Sequence, residues 1–126
     1  MRKDYPKPIK KLIRHYMIEA YERELHRELT KLDQSFTEWR QDKISSGELS
    51  YRVHQYDTGP SRELFKQYND GQNDASVAYA IVAGILKQEE IPAELLEALE
   101  NWLALYQGWK EEGRLAEPEQ RLEREK

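Results

Sequence analysis

Cysteine is missing from all 126 positions, which excludes a disulfide framework and any thiolate metal site. Glycine is scarce at six residues and phenylalanine scarcer at two. With Glu, Lys, Leu and Ala abundant, that balance favours helix over sheet. No run approaches the roughly 18 consecutive apolar residues that a membrane span requires. The longest candidate, "ASVAYAIVAGIL" (75–86), is interrupted by Ser76 and Gly84. The opening "MRKDYPKPIKKLIRHY" has prolines and charges where a secretory leader would be apolar. A soluble cytoplasmic protein with no membrane partner is the expectation.

Charge is plentiful instead: 35% of residues are charged and 38% hydrophobic, against typical values near 25% and 45–50%. A thin core with broad solvated helix faces follows. The net charge of −4 is unevenly spread. Residues 1–16 hold six bases (Arg2, Lys3, Lys7, Lys10, Lys11, Arg14) against Asp4, whereas residues 74–126 hold twelve acids against six bases. A basic arm of this kind can steer an acidic protein partner or attract the acidic end of another copy.

The pattern predicts one all-α domain over 1–113, with helices near 8–41, 46–57, 60–69, 74–88 and 92–112, followed by a charged, frayed or disordered tail at 114–126. Pro6 and Pro8 suit a helix entry, where the missing amide costs nothing. The first helix carries Ile18, Tyr21, Leu25, Leu29, Leu32, Phe36 and Trp39 at steps of three and four, a single stripe. Glu24 with Glu28, and Arg23 with Arg27, fall beside it as solvated positions. A straight helix of this length exceeds a compact domain, so it must break, project or pair with a second copy; Asp33, Ser35 and Thr37 in "DQSFT" mark the expected place of a break.

Ser45 and Glu48 form a capping box for the next helix. Gly59 and Pro60 in "DTGP" predict a corner, with Gly59 left-handed and Pro60 opening a short helix. "NDGQND" (69–74) is a loop, and Asp74 is the expected cap of helix 74–88, which is apolar nearly all round and therefore central. Pro92 opens the last helix and Gly113 closes it.

The densest cluster of reactive side chains is "VHQYDTGPSREL" (53–64). An enzyme reading would use His54, Asp57 and Glu63, but Ser61 lacks the second glycine of a nucleophile elbow, and an i,i+3 His–Asp pair is common on helices. No catalytic residue is assigned. None of His15, His26 and His54 follows a glutamate by three residues, so the di-iron bundle motif is missing, and no phosphate-binding glycine loop occurs. No metal or cofactor is expected. Residues 46–69 also have the dimensions of a helix–turn–helix, with Arg62, Lys66 and Gln67 as the nucleic-acid contacts. Three bases against four acids over 45–73 weigh against that reading.

The leading expectation is a non-enzymatic interaction, scaffold or regulatory module. It would self-associate as a homodimer through Tyr21, Leu25, Leu32, Phe36 and Trp39, side chains of the kind enriched at interfaces.

Overall fold

The computed structural model describes residues 4–122 and is all-helical, with no strand among them. Helix α1 spans Lys7–Arg40, α2 Ser46–Tyr56, α3 Arg62–Tyr68, α4 Asn73–Val82, α5 Ala93–Ala98 and α6 Glu100–Glu111. Short 3-10 turns occupy Gln88–Glu90 and Gln120–Leu122. Arg2 and Lys3 of the basic arm lie outside the described residues, as do residues 123–126.

α4 is the central helix, as its composition predicts. Val77, Ala78 and Ala80 are fully buried, and the helix packs against both α1 and α6. Leu64, Leu86, Leu95 and Leu99 close the core around it. The helices expected at 74–88 and 92–112 are shorter or more divided than the apolar spacing predicts. α4 stops at Val82 because Gly84 turns left-handed (φ 86°), and Leu86 enters the core from the loop beyond. Asp74 lies in the first turn of α4 rather than at its cap, which is Gln72. The last helix is divided at Leu99 into α5 and α6, where Leu95 and Leu99 turn into the core.

α1 is unbroken over 34 residues, about 50 Å at ~1.5 Å per residue. The expected break at 33–37 does not form, because the side chains that would restart a helix are engaged elsewhere. Thr37 Oγ1 donates back to the Asp33 carbonyl, and buried Ser35 accepts from Arg52 Nη1 at 3.2 Å. The N-terminal half of α1 lies on α3, α4 and α5. Its distal half projects beyond them and is met by α2, which returns antiparallel. Trp39 Nε1 donates to Ser46 Oγ at one end, and Arg52 reaches Glu38 (2.9 Å) further along. Ser45 caps α2 as predicted, its Oγ accepting the Glu48 amide at 3.0 Å.

The predicted corner at 58–60 is not a corner. Asp57–Ser61 form a π-helical turn, and Tyr56, Asp57, Ser61 and Arg62 all keep right-handed helical angles. α2 and α3 are therefore one rod with a π-bulge, and Gly59 is not among the left-handed residues. Proline explains the bulge: it has no N–H to give and its ring crowds the carbonyl four residues back, so widening the turn by one residue relieves both. The wider turn also winds less than the ~100° per residue of an α-helix, which holds Leu64 and Tyr68 on the face already set by Leu49 and Tyr56.

Deleting Pro60 removes both the extra residue and the helix breaker, leaving Leu64 and Tyr68 aligned. Its expected effect on urea-unfolding free energy is within about 1 kcal/mol. A loss above about 3 kcal/mol would show that the bulge does more than keep register.

Candidate functional site

The buried face of α1 mixes apolar and charged positions. Its buried positions are Ile13, Ala20, Glu24, Glu28 and Ser35. The apolar stripe, roughly 100° around the helix at ~100° per residue, is half-buried at Tyr21, Leu25, Leu32 and Phe36 and exposed at its other three positions. Ile18 is 52%, Leu29 46% and Trp39 39% exposed, whereas Glu24 is 1% exposed. The solvated role expected for Glu24 and Glu28 is thus corrected, and so is that of Arg23 and Arg27, which are half-buried.

Glu24 is held by partners remote in sequence. Its carboxylate takes Arg121 in a two-pronged contact (Nη1–Oε1 2.7 Å, Nη2–Oε2 2.5 Å) and accepts the Tyr68 hydroxyl at 2.6 Å. Such forked, charge-assisted bonds are the strong ones. Arg121 also lies over the Tyr79 ring, 4.6 Å from its centroid. One turn on, Glu28 Oε2 accepts from Arg27 (2.8 Å) and Lys31 (3.1 Å), and Lys31 reaches on to Glu119 at 2.5 Å. Arg23 joins Glu19, Glu90 and the Ile85 carbonyl, tying α1 to the loop after α4.

The C-terminal segment that completes this network was expected to be frayed. Over residues 114–122 it is seated instead: Leu122 is buried, Tyr79 donates its hydroxyl to the Ala116 carbonyl at 2.6 Å, and Arg121 meets Glu24. Composition concealed this, because one leucine and one arginine do the anchoring within an otherwise charged run.

These surroundings shift several ionisations. Burial, then the charge and hydrogen bond of Glu24, raise the Tyr68 pKa far above its usual value. Tyr79 is pushed up to about 12, by burial first, with Arg121 pulling the other way. Burial and the hydrogen bond to Asp74 raise Tyr5 to about 12. Burial opposes the charge of Arg121, but the hydrogen bonds and charge of Glu24 outweigh it and raise its pKa. Glu119 is lowered, by Lys31 above all.

A tyrosine whose pKa is raised on folding holds its proton more tightly in the folded chain. Its stabilising contribution is complete below the unfolded value near 10 and is lost as pH rises toward the folded value. Stability should therefore decline from about pH 10 upward, with Tyr5, Tyr68 and Tyr79 ionising late in a phenolate-absorbance titration. A titration in which all eight tyrosines ionised together near pH 10 would contradict this.

The residues singled out in the sequence divide unevenly. Tyr21 and Leu25 are half-buried and pack against the core, with Tyr21 5.3 Å from the Tyr68 ring. Leu32 and Phe36 are half-buried and Trp39 is exposed. For nucleic acid, Arg62 and Lys66 are exposed and Gln67 is half-buried on α3, with Lys66 3.9 Å from Glu63. With a rod in place of the turn, they do not form the recognition helix of a helix–turn–helix.

His54 and Asp57 are exposed and Glu63 is half-buried. They do not line either of two well-formed cavities of the fold. The larger, about 740 Å³, opens between the start of α1 and the 70–74 loop. Lys10 and Arg14 face Asp70 and Asp74 there, so the charges cancel, and Asp74 Oδ2 accepts from both Tyr5 (2.8 Å) and Trp102 (3.2 Å). Sequence spacing carries no signal for this cleft, which three separate segments build. Among the described residues, no group of three His, Asp or Glu side chains could hold a metal ion, and no helix is long and apolar enough to cross a membrane.

No protein-family model, curated protein or solved structure matches the chain. The functional reading therefore rests on this geometry.

Proposed function

We propose that the chain is a non-enzymatic helical interaction module of the cytoplasm that self-associates through the apolar stripe of α1. One observation carries the reading: beyond Ala20 the first helix fully buries only Glu24, Glu28 and Ser35, while Ile18, Leu29 and Trp39 of its apolar stripe stay exposed. Apolar side chains repeated along one line, rather than scattered singly, mark an interaction surface.

The stripe also suits a second copy in particular. Six of its seven positions are symmetric about the midpoint of residues 28 and 29, so that an antiparallel neighbour related by a two-fold axis sets Ile18 against Trp39, Tyr21 against Phe36 and Leu25 against Leu32, with Leu29 beside the axis.

Light scattering on a sizing column, at low and high salt, tests the reading. An apolar two-fold interface predicts twice the chain mass at both salts. A monomer at both would remove self-association, and a dimer confined to low salt would assign it to the charged ends alone.

A further inference from the structure

The C-terminal segment behaves as a ligand already in place. α6 ends at Gly113, whose left-handed φ of 72° redirects the chain. From there, Arg114, Ala116, Glu117, Glu119 and Gln120 are exposed, and Leu122 is the one fully buried side chain of residues 114–122. Leu115 and Pro118 are half-buried, and the polar attachments are Tyr79 to the Ala116 carbonyl, Lys31 to Glu119, and Arg121 to Glu24. A segment with few buried apolar contacts and an exposed backbone belongs to the low-stability end of a fold.

Beneath it is a receptor with defined chemistry. Glu24 presents both carboxylate oxygens to one guanidinium, Tyr68 fixes the orientation of that carboxylate, and Tyr79 supplies a ring face. A cavity of about 160 Å³ beside Arg121, lined by Gln67, Tyr79 and Tyr106, leaves room around the seated side chain. Closure is also imperfect: Arg27 Nη2 is buried with no hydrogen-bond partner among the described residues.

We propose that residues 114–122 form a releasable strap, and that the groove it covers, built by Glu24, Tyr68 and Tyr79, is a binding site for an arginine presented by a peptide segment. The strap's own Arg121 occupies the site in cis. Because tethering gives it an effective concentration in the millimolar range, it excludes weaker peptides until it is displaced. This site lies on the buried face of α1, so it stands whether or not the apolar stripe beside that face self-associates.

The probe is a fluorescent peptide of residues 115–122 (LAEPEQRL), titrated into the full-length chain and into its Arg121→Ala variant. The variant should bind the peptide at least about tenfold more tightly than the unaltered chain, because the competing arginine is gone. A peptide in which alanine replaces the arginine should lose that binding. Equal or absent binding by a folded variant would overturn the proposal.

Hydrogen exchange of the unaltered chain decides the matter even if the variant does not fold. Amides of 115–122 should exchange at least about tenfold faster than those of the buried turns of α1 around Glu24. Exchange of both only at the rate of global unfolding would show a fixed segment rather than a strap.

Discussion

Glu24→Ala is expected to lower the unfolding free energy by about 3–5 kcal/mol, the range for removing one member of a buried ion pair. The loss has separable parts. Tyr68, 2% exposed, loses the acceptor of its hydroxyl, and an unsatisfied buried donor costs about 1–3 kcal/mol. A fully buried side chain is also cut back to a methyl, which leaves a cavity in the packing of α1 against α3. Arg121 loses its counterion, but it can carry its charge into water if the strap lifts. Arg121→Ala should therefore cost less, about 1–2 kcal/mol. The strap opens, water reaches Glu24, and Tyr68 keeps its acceptor. Urea unfolding of the two variants measures this asymmetry. Equal losses near the upper figure would show that the segment stays shut over a stranded carboxylate. Burying this pair is not thereby an efficient source of stability, since apolar replacement of both members of such a pair is often neutral or stabilising. Its use is specific: only an arginine, at the right place on the strap, satisfies Glu24.

That pair also shows where sequence reading stops. Signals confined to a few neighbouring residues were legible. Pro8 near the start of α1, Ser45 capping α2 and Gly113 ending α6 each act within one turn of themselves. The apolar composition of 74–82 was equally legible as a central helix. What escaped was whatever depends on a distant partner. Glu24 and Glu28 occupy helical positions that normally mean solvent, and nothing local announces an arginine 97 residues further on. The stripe from Ile18 to Trp39 was found by its spacing, but spacing cannot tell a core face from an exposed one. Over its middle and distal turns α1 therefore mixes the usual assignment: Glu24 and Glu28 turn inward to the strap while Ile18, Leu29 and Trp39 stay exposed, although Ile13 and Ala20 still face the core. The Gly59–Pro60 pair misled for a different reason. Its residues favour a turn, yet packing of Leu64 and Tyr68 against α1 and α4 is worth more than that local preference, and the π-bulge reconciles the two.

The second large effect concerns association. In an isologous dimer each substitution is present twice, once from either side of the axis. Leu29 lies nearest the proposed axis and is 46% exposed in the single chain, so Leu29→Asp has a small expected effect on folding, within about 0.5–1 kcal/mol. In the dimer it would put two carboxylates close together across a desolvated seam, in place of two leucines each contributing about 1.5–2 kcal/mol of burial. Doubling gives a penalty of about 3–4 kcal/mol, roughly a hundredfold to near a thousandfold increase in the dimer dissociation constant. The paired substitution Leu32→Asp with Phe36→Asp should act in the same direction, with a greater cost to folding because both side chains are half-buried in the single chain. Sedimentation or light scattering across a dilution series, read beside far-UV circular dichroism, separates the two effects. A folded monomer from Leu29→Asp places the stripe at an interface between copies. An unchanged dimer would move that interface elsewhere on the molecule, and loss of helicity would mean that the stripe contributes to the fold of a single chain after all.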